Sequence, residues 1–186
     1  MTVMLPSLAL ALLCLLQAGA EVPMQPGFNA EKFAGTWHVT ALVANCSMFM
    51  KMKDGMKSST ATISFTPEGD LLLKLTWPMV DRCQKFELLF RQSGQAGHYV
   101  GMSAQDKKDL RVVETDYSSY AVMRELHHSG QELNAALQLL TREQDVSPQL
   151  LQKFKELIPA VGLNKDTLVI LPKSGECQGG AGWHTR

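Results

Sequence analysis

Apolar residues recur at every second position through most of the chain. Trp37, Val39, Ala41 and Val43 alternate with His38, Thr40 and Leu42, which predicts a first strand. The same period runs through 58–65, where Ala61, Ile63 and Phe65 oppose Thr60, Thr62 and Ser64. It runs again through 71–77, with Leu71, Leu73, Leu75 and Trp77 on one side, and through 85–90, with Phe86, Leu88 and Phe90. Segments 98–102, 110–114, 119–126 and 135–141 complete a series of eight short strands. Turn chemistry separates neighbours at Pro67-Glu68-Gly69-Asp70, at 94–97 and at His127-His128-Ser129-Gly130, the last reading as a hairpin turn. Short strands at spacings of about 8–15 residues predict an antiparallel barrel or sandwich.

Two places break the period. Before the first strand, Asn29 can cap a short helical turn that ends at Phe33, and Gly35 then releases the chain into Trp37. A Trp at that point can plug the end of a β-structure. After the eighth strand, Ser147-Pro148 supplies an N-cap and first helical residue. Leu150, Phe154, Leu157, Ile158 and Val161 follow at helical spacing until Gly162, with Pro159 in the last turn. A ninth strand is predicted at 167–171, then a polar tail, flexible from about residue 178. No repeat or linker divides the chain, so residues 21–186 read as one domain.

Residues 1–20 are apolar from Leu8 to Leu16 and end in Ala18-Gly19-Ala20, the pattern of a secretory signal peptide. The run is too short to span a bilayer, and no later run is longer, so a secreted, extracellular product with no membrane span is predicted. Eighteen basic residues balance eighteen acidic ones, which argues against a nucleic-acid partner or a polyanion-binding surface. Cys14 leaves with the leader. Cys46, Cys83 and Cys177 remain, enough for one disulfide and one free thiol in an oxidising compartment, and composition leaves the pairing open. The five histidines lack ligand-like spacing, so neither a metal nor a cofactor is expected. Nor can a Ser-His-Asp set or a phosphate loop be assembled.

The segment 45–57 is dense in Met48, Met50, Met52 and Met56, with Phe49 beside them. Methionines are flexible, and these can form a deformable lid. Asn45-Cys46-Ser47 is an N-glycosylation sequon, so Asn45 is a candidate glycan site. Cys46, near Lys51, Lys53 and Lys57, is a candidate reactive thiol.

Three motifs in this order carry a resemblance: Gly35-Thr36-Trp37, Thr115-Asp116-Tyr117 between the sixth and seventh strands, and Arg142 closing the eighth. The chain resembles the lipocalin family. The resemblance implies a mainly β fold, an eight-stranded antiparallel up-and-down barrel with one C-terminal helix and a ninth strand. It implies Arg142 stacked on Trp37 at a closed base, a cation–π contact worth roughly 0.5–2 kcal/mol. It pairs Cys83 with Cys177 and leaves Cys46 as the free thiol, which alpha-1-microglobulin, another member, carries in reactive form in a similar loop.

A barrel of this size is just wide enough to hold one small ligand. Val39, Ala41, Ile63, Leu73, Leu75, Phe86, Leu88, Phe90, Val122 and Leu137 are its expected ligand-facing residues. The implied function is carriage of a small hydrophobic molecule, a fatty acid, retinoid or similar lipid. A thiol-dependent reductase or scavenger activity at Cys46, or a disulfide-linked or receptor partner held through its loop, is the alternative. Within the family, Val113-Glu114-Thr115-Asp116-Tyr117 is similar to the branch of lipocalin-15 and the lipocalin-type prostaglandin D synthase. The synthase uses a cysteine near the start of its second strand, where this chain has Ser59. A serine without a base is a poor nucleophile, so no isomerase and no other enzyme is expected.

Overall fold

The computed structural model describes residues 22–79, 82–102, 106–175 and 184–185. Asn29 Oδ1 accepts from Lys32 N at 2.9 Å and starts the helical turn α1 (Ala30–Phe33). Gly35, at φ +109°, then opens β1 (Gly35–Ala44). The period-two segments become β2 (Ser59–Phe65), β3 (Leu71–Pro78), β4 (Cys83–Gln92), β5 (His98–Met102), β6 (Asp106–Thr115), β7 (Tyr120–Ser129) and β8 (Glu132–Thr141). Each pairs antiparallel with the next, β8 returns to β1, and β4 pairs β5, so the sheet closes into an eight-stranded up-and-down barrel.

Several strands outrun their apolar pattern, because closing the barrel pairs polar ends as well. The clearest case is β7. His127 and His128 are not in a hairpin turn but pair Lys108 and Lys107 of β6, and the turn falls at Gly130, φ +60°, and Gln131.

The methionine segment is not a plain loop. Cys46 caps the helix α2 (Ser47–Met52), its Sγ accepting from Phe49 N at 3.3 Å, and a 3₁₀ turn (Lys53–Gly55) follows. After β8 comes α3 (Pro148–Ala160), capped by Ser147 Oγ. Its buried Phe154 and Ile158 pack outside the barrel on Ala41, Val43, Val122, Leu137 and Leu139. A short β9 (Val169–Ile170) pairs β1 beyond the reach of β2, and β10 (His184–Thr185) lies parallel to β4. The rest of the expected tail, 176–183 and 186, lies outside the described residues, as does the expected leader.

Two bulges decide which residues see the interior. In β1, Val39 pairs Leu140 and Ala41 pairs Leu139, so Thr40 is an extra residue and the faces exchange beyond it. In β6 the extra residue is Val113, between Val112 opposite Met123 and Glu114 opposite Val122.

Candidate functional site

The lower half of the barrel is filled. Trp37, Phe33, Phe90, Ile63, Leu71, Leu110 and Tyr99 form one buried cluster there. Trp37 is fully buried, and its Nε1 donates to Phe33 O at 2.9 Å. Arg142 lies over the Trp37 ring at 3.6 Å and donates to four carbonyls at 3.0–3.1 Å, those of Tyr117, Thr36, Lys32 and Ala34. Gly35 is needed here twice over, for its positive φ and because a Cβ would stand 3.0 Å from Arg142 Nη1. The Thr115–Tyr117 turn fits against this plug. Thr115 Oγ1 donates to Tyr120 O at 2.7 Å, and Tyr117, at φ +67°, accepts from Asn29 N through its hydroxyl at 3.0 Å. Asp116 accepts from Ser118 N, Ser119 N and Tyr120 N at 2.8–3.1 Å. Burial alone raises its pKa; these hydrogen bonds, with that of the Ser119 hydroxyl, outweigh burial and hold it below the usual carboxylate range.

The upper half is open. A cavity of about 370 Å³ is lined by Leu42 and Ala44 of β1, Trp77 of β3, Gln84 and Phe86 of β4, and Ala136 and Gln138 of β8. Cys46, Met48, Phe49, Met52, Met56 and Met79 complete its rim. Four of the five lid candidates therefore line it, while Met50 does not and is 41% exposed. Cys46 carries a free thiol.

The ten sequence-selected ligand residues divide three ways. Phe86 lines the cavity. Val39, Ile63, Leu73, Leu75, Leu88 and Phe90 belong to the interior clusters, mostly in the filled half. Ala41, Val122 and Leu137 are corrections: they lie outside the barrel beneath α3. The Thr40 bulge turns Ala41 outward and brings Leu42 and Ala44 in, while on β7 and β8 the interior positions are Met123 and Leu140, paired across from luminal residues. Both faces of these strands are apolar, one for the interior and one for the helix, so alternation gave no phase. The polar Gln138 between leucines was the one sequence signal that marks the luminal phase of β8.

A plugged end beneath an open cavity is a specific arrangement, and comparison with known proteins gives it a family. Residues 34–175 match the lipocalin / cytosolic fatty-acid binding protein family. The chain belongs to the lipocalins. It is 41% identical over 160 residues to human lipocalin-15, covering 86% of each chain. It is 33% identical to the extracellular fatty acid-binding protein of Gallus gallus, over 92% of this chain and 94% of that one. Prostaglandin-H2 D-isomerase of Equus caballus is 31% identical over 168 residues, 87% of this chain and 86% of that one. Among solved lipocalins, the siderocalin Ex-FABP, described as functioning through dual ligand specificities, superposes with a TM-score of 0.71 at 29% identity, over 78% of this chain and 97% of that chain.

Ser59, the serine singled out in the sequence, is buried at the start of β2 opposite Val39. It is absent from the cavity lining, whereas Cys46 is part of it.

Proposed function

We propose that this lipocalin is a secreted carrier that holds one small hydrophobic molecule, a fatty acid, retinoid or similar lipid, in the cavity at the open end of its barrel. The observation that carries the reading is the cavity itself, about 370 Å³ and walled almost wholly by apolar side chains. Its volume falls within the roughly 300–1,000 Å³ typical of small-molecule sites. Desolvation drives the binding at about 25 cal/mol per Å² of apolar surface removed from water. The name of the Gallus gallus relative supports a fatty chain as the cargo.

Trp77 supplies the test, because it lines the cavity while Trp37 is sealed in the base. Titration with an uncharged fluorescent lipid probe should transfer energy from Trp77 saturably, and Trp77→Phe should remove most of that signal. Native mass spectrometry of protein purified from its source should find a co-purifying lipid. A probe signal that never saturates, together with no bound lipid, would overturn the reading.

Three features belong to the same reading. Residues 1–20 act as the leader. Asn45, exposed, accepts from Ala135 N through Oδ1 at 2.7 Å, which leaves Nδ2 available for a glycan. Cys83 is disulfide-bonded and Cys46 is free, which supports a Cys83–Cys177 bridge, although Cys177 lies outside the described residues. Such a bridge closes a long loop and is worth about 4–5 kcal/mol in the chain-entropy model.

The chain is read as a non-enzyme with respect to prostaglandin H2, since a buried serine replaces the synthase's thiol. The expected result is no turnover of prostaglandin H2. A second reading, thiol chemistry or covalent partner attachment at Cys46, is favoured by one observation: the thiol borders the cavity. Cys46→Ser separates the two, because carriage of the probe should survive it.

A further inference from the structure

Beside Ala136 and Gln138 of the cavity lining, the inner face of the next strands turns polar. Glu125 of β7 sits directly across from Ala136, which lines the cavity, and from the buried Leu110 of β6. Gln138, also a lining residue, donates its Nε2 to Glu125 Oε2 at 3.5 Å. His127 pairs across from Lys108, and its Nε2 lies 3.5 Å from Asp106 Oδ1. That nitrogen is buried without a hydrogen bond. Lys108 also faces the lumen, since a Cβ built on Gly101 would meet the buried Phe90 ring at 3.3 Å and Lys108 Cβ at 3.5 Å.

The cationic and acidic groups of this wall face one another. Lys108 stands with Asp106 and the His127 ring with Glu125, so none of them is a spare counter-charge for a ligand. Burial pushes the Glu125 carboxyl up, and Lys108 and His127 draw it partly back. On the neighbouring strand, Gln138 and Ala136 add no charge. An ionic head placed here meets no spare counter-charge, and an uncompensated charge out of water is costly. An uncharged hydroxyl or amide meets groups of both kinds: the Gln138 amide and the Glu125 carboxyl can each donate to it or accept from it.

We propose that this wall is a headgroup site that selects a lipid with an uncharged hydroxyl or amide head over the corresponding free acid or amine. The proposal rests on the carrier reading and narrows its cargo.

The test uses the full chain at neutral pH, with an uncharged naphthylamine probe displaced by lauryl alcohol, laurate and laurylamine. The alcohol should displace at concentrations lower by about tenfold or more, a difference of about 1.4 kcal/mol. Glu125→Gln removes a carboxyl, so the preference for alcohol over acid should narrow. Lys108→Gln removes the cation, so that preference should widen. If either variant fails to fold, the other still reads the ratio. Laurate or laurylamine matching the alcohol on the unaltered protein overturns the proposal, as does a ratio that neither substitution moves, and the carrier reading then still stands. A probe that binds but is displaced by none of the three, or a probe that does not bind, removes the carrier reading and this proposal with it.

Discussion

The closed and open halves of this barrel are built from the same eight strands yet differ in how their interiors meet water. At the base, Trp37, Phe33, Phe90 and Leu110 are at most 1% exposed, and Arg142 spends its donors on four backbone carbonyls. At the mouth, Met48, Met52 and Met79 are 67%, 49% and 48% exposed, and they surround space rather than filling it. Rigid aromatic rings in fixed contacts make a floor; flexible thioether chains make a rim that adapts. The difference teaches that stability and binding are stored in separate parts of one core, and substitutions should pull them apart.

The largest effect on stability should come from the floor. Trp37→Ala should cost about 3–5 kcal/mol in urea denaturation, the range for a buried Trp. A loss below about 1 kcal/mol would mean that the base is not the stabilising half. Next is Arg142→Met, which removes the stacked cation and leaves four carbonyls to other partners; about 2–3 kcal/mol is expected from thermal melts, with probe affinity retained.

A smaller effect should follow pH. Asp116 and Glu114 are both held below the ordinary carboxylate range. For Glu114, burial works against ionisation, and hydrogen bonds from Lys153 and Tyr120 together with the Lys153 charge outweigh it. A folded pKa below the unfolded one stabilises at pH above the unfolded value, and that stability is lost as pH falls through the folded value. Acid should therefore loosen the base and the α3 seat. Asp116→Asn should flatten the slope of stability against pH on the acid side, by less than about 1 kcal/mol because the group is exposed and screened. The smallest change in stability should come from the rim. Met52→Ala should shift the urea midpoint by less than about 1 kcal/mol while weakening probe binding several-fold, reversing the pattern at the base.

Much of the architecture was legible because a barrel strand with one face inside and one outside writes a period of two into the chain. The plug was legible through three spaced motifs, Gly35-Thr36-Trp37, Thr115-Asp116-Tyr117 and Arg142, which meet at the base through the Arg142 side chain. The cavity wall was less so. Where α3 covers the barrel, both faces of β1, β7 and β8 are apolar, and a bulge of one residue leaves no mark in composition. Ala41, Val122 and Leu137 were misplaced for that reason. Glu125, Lys108 and His127 look like surface residues in the sequence, and only the register with Leu110, Ala136 and Gly101 turns them inward. The short α2 escaped notice because its cap is a thiol, an unusual acceptor for that role.

The extra residue at Thr40 has a consequence for how such a molecule can diversify. Below it, β1 feeds the floor with Trp37 and Val39; above it, Leu42 and Ala44 face the cargo while Ala41 and Val43 seat the helix. One strand thus works as two strands in series, with a switch of sides between them. Substitutions at 42 and 44 can reshape the chamber without touching the foundation or the helix seat. Deleting Thr40 would set Val39 and Ala41 side by side opposite Leu140 and Leu139 and restore plain alternation with every side chain on its present side, so the strand can lose this residue without exchanging chamber and seat.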